Sequence, residues 1–290
     1  MSGYAMDISG YGDRSPGRLL KQKSGEAAYY AFVPGRLPPN LQFDLPLVNL
    51  LAEATSALGE LKGLARTLVS PYLFIGPFIR REAVSSSRIE GTEADISDLY
   101  VYEAGQRIIP GTRLQSPKSD VREVYNYVEA LNYGLARLAE FPLSLRLIRE
   151  IHDRLLDNVR GEHATPGEFR TSQNWIGEPG CLLNEASYIP PPVYEMTEAL
   201  GHLEQYLHDE SDPYPPIIRL ALIHYQIEAI HPFIDGNGRV GRLILSLLSV
   251  HWALIPQPLL YLSPFFEKQR KGYCDLLMAV SVRGAWLEWV

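Results

Sequence analysis

The sequence predicts an all-α protein carrying one long irregular insert. Apolar residues recur at helical spacing through most of the 290 residues. Gly- and Pro-rich stretches punctuate those helical segments. One of these stretches, about Thr165 to Val193, is far longer than a connection needs, and a loop of that length inside a compact domain usually has a function.

Taken in order, residues 1–39 are rich in Gly, Tyr and charge and read as an N-terminal arm ending at Leu37-Pro38-Pro39. A helix is expected where Leu47, Leu51, Ala54, Leu58, Leu61, Ala65 and Leu68 step by alternate fours and threes along one face, with Ser70-Pro71 stopping it. A second helix is expected from roughly Pro77 to Glu90, with Gly91 as its C-terminal cap. Residues 104–118 hold Gly105, Pro110, Gly111 and Pro117 and read as a linker. Beyond it Val121, Val124, Tyr125, Val128, Leu131 and Leu135 share one face, and Leu145, Ile148, His152 and Leu155 share another. After the insert, helices are expected at Met196–His208, Ile217–Ile230, Val240–Leu254 and Glu267–Val280. The chain ends on apolar Trp286 to Val290, either a last helix packed on the core or a point beyond which more chain once followed. The implied division is an arm (1–39), an N-terminal helical region (40–115) and a core (116–290).

A formal charge of −7 makes a general nucleic-acid or anionic-membrane binder a poor reading, while leaving room for a local basic site. Cys181 and Cys274 lie far apart and form no C-x-x-C pair, which argues against a zinc site and against a disulfide framework. The N-terminus lacks a signal-peptide core, and no segment approaches the ~20 apolar residues of a membrane span. A reduced, cytoplasmic setting is the expectation.

The chemistry concentrates in residues 231–242, His-Pro-Phe-Ile-Asp-Gly-Asn-Gly-Arg-Val-Gly-Arg, set between two apolar helices. Gly236 and Gly238 let the backbone turn its N–H groups toward one point, and the following helix aims its positive end there. Arg239 and Arg242, three apart on that helix, can grip phosphate oxygens in forked geometry. Asp235 is a hard oxygen ligand beside this anion site, suited to Mg²⁺ bound jointly with substrate phosphates. His231 precedes the loop, and an imidazole with an ordinary pKa of ~6.5 can accept a proton. A calcium loop is excluded, because its sixth and twelfth positions would be Val240 and Ser246 rather than Gly and Glu. An ordinary turn has no need of His, Asp and two Arg in a dozen residues. The segment therefore points to an enzyme acting on a nucleotide. His152 and His224, on apolar faces, read as hydrogen-bonded core residues.

At every position this segment resembles the signature of the Fic family, H-P-F-x-[D/E]-G-N-[G/K]-R-x-x-R. Weaker similarity runs from about Pro34 to the end. The resemblance implies an all-α Fic-type core with a short β-hairpin flap, preceded by a helical regulatory region. It implies a protein adenylyltransferase that moves AMP from ATP to a Ser, Thr or Tyr hydroxyl of a target protein, and of itself, releasing pyrophosphate. By the motif, His231 is the general base and Asp235 holds the metal. Asn237 with the backbone of Gly236 and Gly238 holds the α- and β-phosphates, and Arg239 and Arg242 engage the phosphate tail. The insert, with Phe169-Arg-Thr-Ser-Gln-Asn-Trp175 and Ala186-Ser-Tyr-Ile-Pro-Pro-Pro192, matches the family's flap, whose hairpin edge recruits a target strand. By position Glu185, Ala186, Ser187 and Tyr188 fall near the nucleotide, and Tyr273 and Ser281 near the adenosine, although Cys274 replaces the second Tyr of a common pair.

Ser86-Ser-Arg-Ile-Glu90-Gly91 resembles the family's inhibitory motif, [S/T]-x-x-x-E-[G/N], whose Glu pairs with the second signature Arg, here Arg242. The implied partners are ATP, a target protein with an exposed hydroxyl, and a second copy of the chain as homodimer, with no membrane or nucleic acid. Three rivals remain. A Doc-like phosphotransferase would carry Lys at Gly238. AMP removal would use Glu90 to position water. A non-enzymatic scaffold would not need the intact His231 and Asp235.

Overall fold

The computed structural model describes residues 8–24, 27–67, 71–108, 119–159, 165–178 and 180–290. Among them the fold is all-α, with one two-stranded antiparallel hairpin. The chain divides into two compact units. One holds residues 1–43, 169–234 and 271–290; the other holds 44–168 and 235–270.

The second unit begins with α1 (Leu45–Thr67) and α2 (Pro71–Ile89). Asp44 Oδ1 accepts from Leu47 N–H at 2.9 Å and caps α1. The face expected to be buried on α1 is the covered one, though only in part: Leu47 and Ala65 are buried, Leu51, Leu58 and Leu61 half-buried and Ala54 exposed, while Leu50 and Leu64 lie on the open side. α2 starts earlier than expected and carries Pro77 within it, and the stop at Ser70 lies outside the described residues. α3 (Ile96–Ile108) is a correction to the expected linker, since residues 104–108 are helical; residues 109–118 lie outside the described set. Its start was nonetheless written in the sequence. Asp95 Oδ1 accepts from the N–H groups of Ser97 (2.7 Å) and Asp98 (2.9 Å), and Asp98 Oδ2 accepts from Asp95 N–H (3.0 Å), a reciprocal N-terminal cap.

α4 (Ser119–Leu138), α5 (Leu145–Leu155) and α8 (Asn237–His251) form the heart of this unit. Val124, Tyr127, Leu131, Ile148, Ile151, Leu155, Leu243, Ile244 and Leu247 are buried there. Each such side chain contributes on the order of 1.5–3 kcal/mol by leaving water. The predicted apolar run after the signature is accordingly a buried helix. α9 (Ser263–Lys268) ends where Gln269 breaks the helix expected from Glu267, and α10 (Arg270–Arg283) resumes.

In the first unit, β1 (Gly17–Ser24) and β2 (Ala27–Pro34) pair in register from Gly17 opposite Pro34 to Ser24 opposite Ala27. Within the expected arm, Gly17–Ser24 and Ala27–Pro34 thus form a hairpin. Glycine and charge in residues 1–23 disguised it, yet Tyr29, Ala31, Phe32 and Val33 are all buried. Tyr29 and Ala31 pack on Ala186 and Ile189 of the insert, and Phe32 N–H donates to Ile189 O at 2.8 Å. The hairpin is the floor on which the insert lies. α6 (Val193–Leu207), α7 (Pro216–Ile230) and α11 (Trp286–Trp289) complete the unit, with Trp289 Nε1 donating to Ala221 O at 2.8 Å. No helix among the described residues is long and apolar enough to cross a membrane, and neither Cys181 nor Cys274 is in a disulfide.

Candidate active site

α7 delivers the signature histidine. His231 caps that helix in the left-handed conformation (φ 50°, ψ 61°), its N–H still donating to Ile227 O at 2.9 Å. A side-chain-bearing residue held there costs on the order of 1–2 kcal/mol and persists only where neighbours enforce it. Its Nδ1 lies 3.4 Å from Glu228 O. That contact favours the proton on Nδ1, a tautomer inferred from the partner.

Two residues of the insert grip the backbone here. Arg170 donates from Nε to His231 O (2.9 Å) and from its backbone N–H to Pro232 O (2.9 Å). Asn174 Nδ2 donates to Phe233 O (2.8 Å) and reaches His231 O at 3.3 Å.

The other end of the signature belongs to the second unit. Gly236 takes φ 80°, a turn that glycine makes without strain, and its N–H donates to Asp235 Oδ1 at 2.6 Å. α8 then starts, so its first N–H groups face out of the helix end with the dipole's positive pole. Beneath, His152 is wholly buried. Its Nδ1 accepts from Gly167 N–H at 2.9 Å, so its Nε2 donates to Asp235 O at 3.0 Å. Burial pushes this imidazole down to about 4, so it stays neutral and braces the turn.

Both signature arginines are held by carboxylates. Arg239, 3% exposed, donates from Nη1 to buried Glu123 at 3.2 Å, and its buried Nε has no partner among the described residues. Thr92 also donates to Glu123 Oε2 at 3.2 Å. Arg242, 2% exposed, bonds to α2 by Nε to Ser86 Oγ (2.8 Å) and Nη2 to Ser86 O (2.9 Å), and just past its end by Nη2 to Glu90 Oε1 (2.6 Å).

Glu90 gets there because α2 ends in a tight cap. Thr92 N–H donates back to Ser87 O and Gly91 N–H to Arg88 O, with Gly91 at φ 95°. The Glu90 carboxylate then lies against Gly238, so closely that a methyl on Gly238 would collide with Oε1. An anion therefore already sits at the N-terminal end of α8. Farther back on α2, Glu82 is buried; it accepts from Ser263 N–H (3.1 Å) and Oγ (2.5 Å) and from Tyr127 OH (3.3 Å). Burial pushes its carboxyl up against those bonds.

Among the described residues the insert closes by one isolated antiparallel bridge, Ile176 to Tyr188, with a 3₁₀ turn at Leu183–Glu185. Glu185 and Ser187 face outward, Glu185 Oε2 accepting from Leu182 N–H (2.9 Å) and Ser187 Oγ donating to Ile176 O (2.9 Å). Ala186 and Tyr188 face inward, and Tyr188 OH donates to Ala229 O at 2.8 Å. Tyr273 and Ser281 are buried on α10, bonded to His224 Nε2 (2.8 Å) and Tyr225 OH (2.9 Å) respectively.

Comparison with known proteins decides the family. Residues 48–136 match the family model "Fic/DOC family N-terminal", and residues 142–249 match "Fic/DOC family". The chain belongs to the Fic/DOC family. Protein adenylyltransferase fic-1 of Caenorhabditis briggsae is 29% identical over 169 residues, 58% of this chain and 31% of that protein. Protein adenylyltransferase Fic of Drosophila grimshawi is 34% identical over 121 residues, 41% of this chain and 23% of that protein. The aligned stretches thus cover a third or less of those relatives. Among solved structures, a Fic family protein from Desulfovibrio desulfuricans G20 aligns with TM-score 0.64 at 21% identity over 87% of this chain and 72% of that one. Fic-1 (residues 134–508) of C. elegans gives 0.61 at 22% over 84% and 69%. These two establish the Fic fold.

Within that fold, the structure brings Arg242 and Gly238 together with Ser86 and Glu90, and Asp235 with Arg239; Gly91 caps α2 beside them. Sequence reasoning assigned nothing to Glu123, Arg170 or Asn174. Glu123 left a signal, an acidic residue one turn before buried Tyr127 on the inward face of α4. Arg170 lay inside a quoted stretch of the insert, but nothing in one sequence separates a buried arginine from a surface one.

Proposed function

We propose that this Fic chain transfers AMP from ATP to a hydroxyl of a protein. The observation that carries the reading is the Glu90 carboxylate lodged at the N-terminal end of α8, against Gly238 and on Arg242. An anion occupies that place in the resting protein, so the place is an anion site. Arg239 and the α8 dipole add positive charge beside it, which suits a polyphosphate. The likeness to proteins named adenylyltransferases, over the part of their length that aligns, supports nucleotidyl rather than phosphoryl transfer. So does Gly238, where a side chain, such as the lysine of Doc-like phosphotransferases, has no room while Glu90 is in place.

In this mechanism the hydroxyl oxygen attacks the α-phosphorus and the bond to the β-phosphate bridging oxygen breaks. Pyrophosphate leaves, and the hydroxyl proton passes to His231 Nε2. Asn237, the Gly236 and Gly238 backbone, Arg239 and Arg242 hold and orient the phosphates, and positioning with charge stabilisation supplies most of the rate. By the family resemblance the insert segment Glu185 to Tyr188 borders the nucleotide, its outward-facing members being Glu185 and Ser187, while buried Tyr273 and Ser281 serve the adenosine side through packing.

Mg²⁺ fits the donor set. Asp235 is a single half-exposed hard oxygen ligand, and among the described residues no cluster of three or more His, Cys, Asp or Glu forms an all-protein cage. Asp235 would hold the ion, which would neutralise phosphate charge when bound. Glu90 restrains the enzyme by taking the cation meant for the γ-phosphate. His231→Ala tests the reading. It should keep ATP binding and lose about 10²–10⁴-fold in transfer; unchanged protein labelling would overturn it.

A further inference from the structure

We infer that Arg170 is a positioning residue for the transfer reaction, because its guanidinium fastens the carbonyl of His231 to both arms of the insert. The inference rests on the reading of His231 as the base. Arg170 is 1% exposed, yet every side-chain hydrogen bond it makes goes to a backbone carbonyl: Nε to His231 O (2.9 Å), Nη1 to Ser172 O (3.1 Å) and Nη2 to Pro191 O (2.5 Å). Burying a guanidinium without a carboxylate partner is costly unless each donor is satisfied. Here the three acceptors are the descending turn at His231 and the two opposite arms of the insert. A structural ion pair would need none of these.

The arrangement has a purpose that packing alone lacks. His231 sits in the left-handed region, so its ring direction depends on a backbone that would relax if released. With Arg170 N–H on Pro232 O and Asn174 Nδ2 on Phe233 O, three consecutive carbonyls, 231 to 233, are bound by the opening segment of the insert. Any shift of the insert, for instance when a target strand adds to its edge, is carried through the rigid fork to the base instead of being absorbed in the loop. Lysine cannot replace the fork, since it offers one point charge where three directed donors are needed.

The test is AMP transfer from α-labelled ATP in a Glu90→Gly background, comparing Arg170→Lys, Asn174→Ala and His231→Ala, with Mg-ATP affinity by calorimetry and thermal midpoints alongside. Arg170→Lys should lower kcat by about 10²-fold, the cost of a base displaced by ~1 Å, with the ATP Kd within about threefold of the background, since the anion-binding residues hang on other contacts. Asn174→Ala should lower kcat by a smaller factor, on the order of tenfold, again without a change in Kd. Should Arg170→Lys fail to fold, Asn174→Ala decides. A kcat within about threefold of the background, or equal losses in kcat and ATP affinity, would overturn the inference. If His231→Ala itself kept its activity, the reading of the base would fail first.

Discussion

Replacing Glu90 with glycine removes the carboxylate from Arg242 while leaving that arginine its two bonds to Ser86. Arg242 is buried but the Glu90 side chain is 39% exposed. A charge-assisted bond of this kind contributes on the order of 1.5–3 kcal/mol. Exposure of one partner reduces that to about 1–2 kcal/mol. At ~1.4 kcal/mol per factor of ten, ATP with its γ-phosphate on Arg242 should bind about 5–30-fold more readily. That factor is a lower bound on the gain in transfer, because Glu90 also repels the phosphate it displaces. The fold should survive. Glu90 sits at the C-terminal cap of α2, beyond its last full turn, and the change should lower the thermal midpoint by only about 2–6 °C. The assay is incorporation from α-labelled ATP by the parent, Glu90→Gly, Glu90→Gln and Glu90→Gly with His231→Ala. Glu90→Gln, which keeps an acceptor without the charge, should fall between parent and Glu90→Gly. Incorporation by Glu90→Gly equal to or below the parent refutes inhibition, and an active double mutant places the labelling outside this site.

Asp235→Ala should lose the Mg²⁺ dependence of ATP binding in calorimetry, and an unchanged dependence would reject the metal role. His152 has a folded pKa of about 4 against ~6.5 unfolded, so between those values the unfolded state takes up the extra proton. Stability should therefore fall as pH drops from ~6.5 to ~4, by about 3 kcal/mol in all. His152→Gln should flatten that limb of the midpoint-against-pH curve, and parallel curves would contradict the assignment. Glu123→Ala strands the buried Arg239 guanidinium and should cost on the order of 3 kcal/mol in denaturant unfolding; a loss below about 1 kcal/mol would show that Arg239 finds another partner.

The parts of the fold that were legible were those where local chemistry and burial agree. α4, α5, α7 and α8 carry apolar faces that meet partners in the same unit, so their periodicity translated directly into position. α1 shows the limit, because its regular apolar stripe is only partly covered, with Leu51, Leu58 and Leu61 half-buried, and periodicity reports a face, not what covers it. The β1–β2 hairpin was hidden because its inward side chains include both Ala31 and Phe32 in succession, which breaks the alternation a half-buried strand would show. Asp235, Arg239 and Arg242 stood out because charge falls at short spacing in the signature, and Glu90 only through its motif resemblance, since its contact with Arg242 spans 152 residues. Glu123, Arg170 and Asn174 left no such signal, since their roles arise from contacts 57 to 116 residues apart along the chain, such as Asn174 with His231, Arg170 with His231 and Arg239 with Glu123. The inward reading of His152 and His224 holds, both rings being bonded within the core.

The central claim is that an α-phosphoryl-linked AMP moves to protein. The most direct measurement is parallel incubation of the Glu90→Gly protein with Mg²⁺ and ATP labelled either at the α- or at the γ-phosphate, followed by denaturing separation and intact mass. The account predicts retained α-label, a mass gain of one AMP moiety and no retained γ-label. Retained γ-label with the mass gain of a single phosphate would contradict it and make the chain a phosphotransferase.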